Sequence, residues 1–249
     1  EISLGLVGSE MCIRDRNIIL PFNDEEEKLY VANLAKANKE LQELYDLEGS
    51  DKMQILKLLT RLRQLCLEPR LVYDNIDQPS SKLKACMELI KTMQENKQKV
   101  LLFSSFTSVL DLIAEECQKA GITYYMLTGS TNKEDRRELV SRFQKDDTTV
   151  FLISLKAGGT GLNLTSAEAV IHFDPWWNVS AQNQATDRAY RIGQKNNVQV
   201  FNLVMKDSVE EKIIELQKRK KELADMFVEN NSGGLSQMSK EDILSLFTM

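Results

Sequence analysis

The sequence predicts an α/β domain built on a parallel sheet with helices on both faces, and three observations predict it. Short apolar or β-branched runs recur at 100–103, 123–127, 148–153, 169–173 and 198–204. Helical patterns of about 10 to 15 residues separate most of these runs, which is the grammar of strand–helix–strand crossovers. The first run, Val100 to Phe103, is apolar at every position rather than alternating, as expected of a strand covered on both sides. In such sheets ligands gather at the carboxyl ends of the strands, so the loops that follow the runs are where chemistry is sought.

The chain has 249 residues, 42% of them hydrophobic and 28% charged, which excludes wholesale disorder. No run approaches the roughly 20 apolar residues of a membrane span, so no membrane association is expected. Four cysteines, Cys12, Cys66, Cys86 and Cys117, show no CxxC spacing, and the single histidine is His172. A disulfide framework or zinc site is therefore not expected, and reduced thiols in a cytoplasmic or nuclear compartment are. The net charge is −5. Residues 1–80 hold 10 basic and 15 acidic side chains, leaving 22 of each in 81–249, so any nucleic-acid surface there must be a local patch.

Residues 1–16 read as neither an amphipathic helix, a strand nor a secretory signal, and are set aside as a leader foreign to the fold. Residues 17–80 are a helical segment, in which the pattern becomes helical from Asn23. Asn23 or Asp24 can cap, Glu27 can close a capping box, and Leu29, Leu34, Ala37, Leu41 and Leu44 recur at helical spacing. After Gly49-Ser50, a second stripe runs through Met53, Leu56, Leu59, Leu62, Leu65 and Cys66 until Pro69 stops it. Residues 81–206 carry the alternating pattern: helix 83–95, the first run, a helix ending at Gly121, the second run, helix 132–145 and the third run. The fourth run, a helix near 180–190 and the fifth run complete it. A long helix follows across 207–230, and 231–249 contains a glycine-bearing break and a short terminal helix.

Two loops stand out. Ser154-Leu155-Lys156-Ala157-Gly158-Gly159-Thr160-Gly161-Leu162-Asn163 follows the third run, and its glycines would let backbone amides approach a phosphate. It is not a Walker A loop, since no Lys-Ser or Lys-Thr follows at the required spacing. Leu164 stands where a dinucleotide fingerprint needs its third glycine. A turn without ligand is as consistent with this loop as a phosphate cradle. The second segment runs from Gln184 to Gln194. If helical, it sets Gln184, Asp187, Arg188 and Arg191 on one face, at i, i+3, i+4 and i+7. Two guanidinium groups a turn apart can grip a phosphoryl group, with Asp187 holding one in place; a solvated face with an internal salt bridge remains the alternative.

At this point the residues resemble a known family. AGGTGLNLT, FDPWWN and QATDRAYRIGQ between Phe151 and Gln194 resemble motifs V and VI of the Swi/Snf-like ATPases of helicase superfamily two. VLLFSSFTSVLDL (100–112) resembles motif IV, Leu127–Thr131 with Arg136 the next family segment, and LTRLRQLCLEPRL (59–71) the stretch joining two lobes. The resemblance implies a RecA-like carboxyl-terminal helicase lobe, with 17–80 an inter-lobe segment and 207–230 a bracing helix. It implies a motor that hydrolyses ATP with Mg2+, both held mainly by a first lobe, and steps along double-stranded DNA. Arg188 and Arg191 match the arginine fingers, Gln184 the glutamine beside them, and Gly159, Gly161 and Asp187 the nucleotide-facing positions. Ser104, Ser105, Thr128, Ser130, Ser154, Lys156, Asn163 and Trp177 match DNA-facing positions, although the family commonly has Gln at 105 and Asp at 128. Implied partners are the first lobe of the full-length chain, DNA, and RNA polymerase or another DNA-bound protein, in the cytoplasm, or the nucleus of a eukaryote. Without a Walker A loop the fragment alone should be inactive. Two rivals remain: a non-enzymatic RecA-like module binding DNA or protein, and a Rossmann-type oxidoreductase.

Overall fold

The computed structural model describes residues 14–46, 52–158, 164–176, 182, 183, 186, 198–226 and 245–247. Among them run six strands: β1 (Arg14–Leu20), β2 (Val100–Ser104), β3 (Tyr124–Leu127), β4 (Val150–Ser154), β5 (Ala169–His172) and β6 (Gln199–Met205). They form one sheet in the order β1-β6-β5-β2-β4-β3, with every neighbouring pair parallel. The helices among the described residues are α1 (Asp24–Asp46), α2 (Lys52–Leu67), α3 (Ser81–Glu95), α4 (Thr107–Lys119), α5 (Lys133–Lys145), the single turn α6 (Leu155–Gly158) and α7 (Val209–Met226).

The buried strands explain themselves. β2 and β4 are buried at every position, so Val100 and Leu102 face one layer while Leu101 and Phe103 face the other. On the first face α3 and α4 supply Leu83, Cys86, Ile90, Leu110, Ile113 and Cys117. On the second, Phe143 of α5 and Leu155 of α6 cover Leu101, Phe151, Ile153 and Val170. A separate helical core joins α1, α2 and α7 through Tyr30, Leu41, Leu59, Leu62, Ile213 and Leu216, and Leu246 and Phe247 are buried within it. α4 ends where Gly121 takes a left-handed φ of 67°, which lets Ile122 N donate to Cys117 O at 2.8 Å.

Two local expectations differ. β1 crosses the boundary drawn at Asn17: its residues 14–20 pair with 199–205, so Arg14, Asp15 and Arg16, set aside with the leader, belong to a strand of the sheet. It is an edge strand with Asn17 and Ile19 exposed and Ile18 and Leu20 half-buried, and an apolar run this short carries little periodicity. The capping box of α1 is closed by Glu26 rather than Glu27. Asn23 Oδ1 accepts from Glu25 N (3.0 Å) and Glu26 N (2.9 Å), and Glu26 Oε2 accepts from Asn23 N (3.1 Å). The cap is Asn23, and the box reaches three residues on.

Candidate functional site

Because all strands run the same way, the ends of β2, β3, β4 and β5 share one edge of the sheet. At its middle stands Asp174, two residues past β5 and buried. Its Oδ1 accepts from Ser104 Oγ (2.7 Å) and Ser105 N (2.9 Å) at the end of β2. Its Oδ2 accepts from Ser105 Oγ and, at 2.8 Å, from a guanidinium N–H of Arg63 in α2. The same Arg63 nitrogen lies 2.9 Å from Ser105 Oγ and 3.3 Å from Pro175 O, and the guanidinium stands 4.9 Å from the Phe106 ring centroid. Four donors thus fill the lone pairs of one carboxylate, the condition under which a buried charge is tolerable.

This arrangement sorts the sequence-predicted residues. Ser104 is 0% exposed and its hydroxyl is donated inward, and the half-buried Ser105 hydroxyl also bonds Asp174. Ser154 is buried and its Oγ accepts from Ala157 N at 3.4 Å, capping α6. These three serve the shape of the edge. Lys156 and Ser130 are exposed and Thr128 is half-buried, with Thr128 Oγ1 and Ser130 Oγ 2.8 Å apart in a turn closed by Thr131 N to Thr128 O (3.2 Å). The pairing of Leu127 with Ile153 sets that turn beside α6. Arg136 of α5 donates to Ala157 O at 3.3 Å, tying the base of the glycine loop to α5. Gly159, Gly161, Asn163, Trp177, Gln184, Asp187, Arg188 and Arg191 lie outside the described residues.

The residues just before that last group are held from below. His172 Nε2 lies 3.0 Å from Thr186 Oγ1, and Thr186 Oγ1 donates to Gln182 O at 3.3 Å. Gln182 Nε2 donates to Asn202 Oδ1 (3.1 Å), while its Oε1 accepts from Trp176 N (3.2 Å). Burial lowers the His172 pKa to about 4 against a smaller opposing effect of Asp174, and the ring stacks on Phe103 at 5.6 Å. It is therefore a neutral structural histidine, as a strand-end position in an apolar run suggests.

Sequence reasoning missed Arg63, Asp174, Gln182 and Asn202. One signal was present: Arg63 stands four residues after Leu59 and beside Leu62, on the buried stripe of α2. A charge there needs a partner, but nothing local names Asp174, 111 positions away. Among the described residues no group of three or more His, Cys, Asp or Glu could hold a metal, and no helix is long and apolar enough to cross a membrane.

A six-stranded parallel sheet with a glycine loop after β4 and an arginine-bearing segment after β5 defines a RecA-like helicase lobe of the carboxyl-terminal type. Residues 81–193 match the family model described as helicase conserved C-terminal domain. The chain is 36% identical over 232 residues to an uncharacterised ATP-dependent helicase of Mycoplasma pneumoniae, covering 93% of this chain and 22% of that protein. It is 34% identical over 237 residues to the putative ATP-dependent helicase/translocase YwqA of Bacillus subtilis, covering 92% and 25%. The structure of the Sulfolobus solfataricus SWI2/SNF2 ATPase core in complex with double-stranded DNA superposes with a TM-score of 0.75 at 29% identity, covering 94% of this chain and 49% of that one. The chain belongs to the Swi/Snf-like ATPases of helicase superfamily two, as their carboxyl-terminal helicase lobe. It spans between a fifth and a quarter of the length of the curated relatives it matches.

Proposed function

We propose that this lobe completes an ATP site whose phosphates and Mg2+ are held by a separate lobe, and that it grips the backbone of double-stranded DNA, so that ATP hydrolysis drives stepping along the duplex. One observation carries the reading most directly. The parallel sheet brings the ends of β4 and β5 to a common edge, and the glycine loop and the segment of Arg188 and Arg191 both depart from that edge. The relatives are ATP-dependent helicases, and a solved neighbour is bound to DNA, which supports both halves of the proposal.

In this reading Arg188 and Arg191 stabilise charge on the phosphoryl group being transferred, with Gln184 beside them and Asp187 orienting a guanidinium. An arginine finger accelerates hydrolysis by roughly 10³ to 10⁵, but only onto a nucleotide already cradled, so this chain alone does not turn over ATP. DNA contacts go to phosphates, which carry no sequence. Among the described residues the exposed Ser130 and Lys156 and the half-buried Thr128 make them, joined by Asn163 and Trp177. Ser104, Ser105 and Ser154 hold the loops in place from inside. The test is Arg191→Ala in the full-length protein: DNA-stimulated hydrolysis falls by three or more orders of magnitude while DNA affinity stays close to the parent. Undiminished turnover overturns the assignment.

A further inference from the structure

The strand register lines up Phe103, His172, Asn202 and Asn17 in one row across β2, β5, β6 and β1. The row begins apolar and turns polar where the segment at 182–186 crosses it. Asn202 Nδ2 donates to Asn17 Oδ1 at 3.0 Å, which leaves Asn202 Oδ1 turned to Gln182 Nε2. His172 supplies the second point, Thr186, four residues beyond Gln182 and so on the same side of a helix. The backbone on either side of Trp176 is drawn into the same set of bonds: its N–H goes to Gln182 and its carbonyl accepts from Gln217 of α7.

The tautomer of His172 follows from its neighbours. Thr186 has one hydroxyl proton and gives it to Gln182 O, so its oxygen accepts and His172 Nε2 donates. Nδ1 has no partner. A bare buried lone pair costs less than a bare buried N–H, which favours the same assignment.

We propose that His172 and Asn202 are positioning residues for the chain that leads to Arg188 and Arg191: two directional bonds, to Thr186 and Gln182, fix where those two residues sit before the arginines are reached. Apolar attraction is non-directional, whereas hydrogen bonds weaken steeply once bent or stretched. Arg188 and Arg191 follow Thr186 by two and five residues in the sequence, so a shift at Thr186 is passed toward them along the chain. A misplacement of about 1 Å at a reacting centre costs about 10²-fold in rate. The inference rests on the reading of Arg188 and Arg191 given above.

The experiment uses the full-length protein. His172→Phe keeps the stack on Phe103 and removes the donor; kcat for ATP hydrolysis falls about 10- to 100-fold, with the KM for ATP and DNA affinity within about twofold of the parent. His172→Gln, which returns an N–H at the position of Nε2, recovers most of the loss, and His172→Asn, whose N–H falls at Nδ1, does not. His172→Phe combined with Thr186→Val is no slower than His172→Phe alone, since both remove one bond. Equal recovery by Gln and Asn, additive losses in the pair, or an unchanged kcat in His172→Phe overturns the proposal. If the histidine variants do not fold, the imidazole nitrogen resonances of the parent and of Thr186→Val decide: an Nδ1–H tautomer in the parent, or no change on losing Thr186, overturns it equally. An Arg191→Ala protein with full turnover defeats the functional reading alone, because it leaves the Nε2–H signature and its dependence on Thr186 in place.

Discussion

Replacing Asp174 by asparagine changes almost no volume, so its cost isolates the polar chemistry of the carboxyl edge. The carboxylate accepts from Ser104 Oγ and Ser105 N on one oxygen and from Ser105 Oγ and Arg63 on the other. An amide has one accepting oxygen, and its NH2 must face either Ser105 N–H or the guanidinium. The serine hydroxyls can rotate away, but the backbone N–H and the guanidinium cannot. If the NH2 meets Arg63, a cation whose side chain is 9% exposed loses its counter-charge. Stranding one member of a buried pair costs about 3–5 kcal/mol. If it meets Ser105 N–H, one buried donor is orphaned for about 1–3 kcal/mol and the charge of the pair is lost as well. Asp174→Asn should therefore destabilise the chain by about 3 kcal/mol. Ser105→Ala leaves Asp174 and Arg63 each with other partners and should cost about 1 kcal/mol. In urea unfolding followed by far-UV circular dichroism, 3 kcal/mol with a slope of about 3 kcal/mol/M moves the midpoint by about 1 M. An Asp174→Asn midpoint within 0.2 M of the parent at unchanged slope, or a Ser105→Ala loss larger than that of Asp174→Asn, refutes the central place given to the carboxylate.

Three further outcomes follow from other residues. The folded-state pKa of His172 is depressed to about 4 from an ordinary value of 6.5, so its contribution to stability is present above pH 6.5 and is lost as pH falls toward 4. The stability of the parent minus that of His172→Phe should decline through that window by up to about 1.4 kcal/mol per pH unit, and a flat difference disproves the buried neutral imidazole. Lys156→Ala should weaken DNA binding without regard to sequence and reduce the slope of log K against log salt by about 0.9, measured by fluorescence anisotropy; an unchanged slope removes Lys156 from the DNA surface. Lys82 and Glu210 pair at 2.7 Å with side chains 0% and 1% exposed, so Lys82→Met alone should cost about 3–5 kcal/mol in urea unfolding. Lys82→Met with Glu210→Leu should recover most of that loss, and a double variant as unstable as the single one contradicts it.

The parallel sheet was legible because its inner strands are short, mostly apolar runs punctuated by amphipathic helices, a pattern local to each segment. β1 was not, because an edge strand buries one side only and its half-buried Ile18 and Leu20 form no longer periodic run. The helical segment was legible as helices, yet its tie to the sheet rests on Arg63 and Asp174, which only the folded chain brings together. The site divides in the same way. Motif position marks Ser104, Ser105, Ser154, Thr128 and Ser130 alike as hydroxyls at an edge. It does not say which turn inward, and that depends on acceptors such as Asp174, a distant segment's contribution.

The polar bonds also bear on how the lobe moves. Two buried ion pairs cross the seams between layers: Arg63–Asp174 joins α2 to the edge beyond β5, and Lys82–Glu210 joins the start of α3 to the start of α7. Glu210 also accepts from Met205 N at the end of β6. Tyr30 of α1 closes the circuit by accepting from Val209 N at 2.7 Å. Sliding the layers past one another without admitting water would leave a buried charge unpaired at a cost of about 3–5 kcal/mol, which holds such states to below about 1% of molecules. The bonded seams therefore favour the helical core and the sheet moving together. In the motor proposed here, closure against another lobe carries α1, α2 and α7 with the sheet as one body. The flexing that accompanies a step must then fall outside these bonded seams.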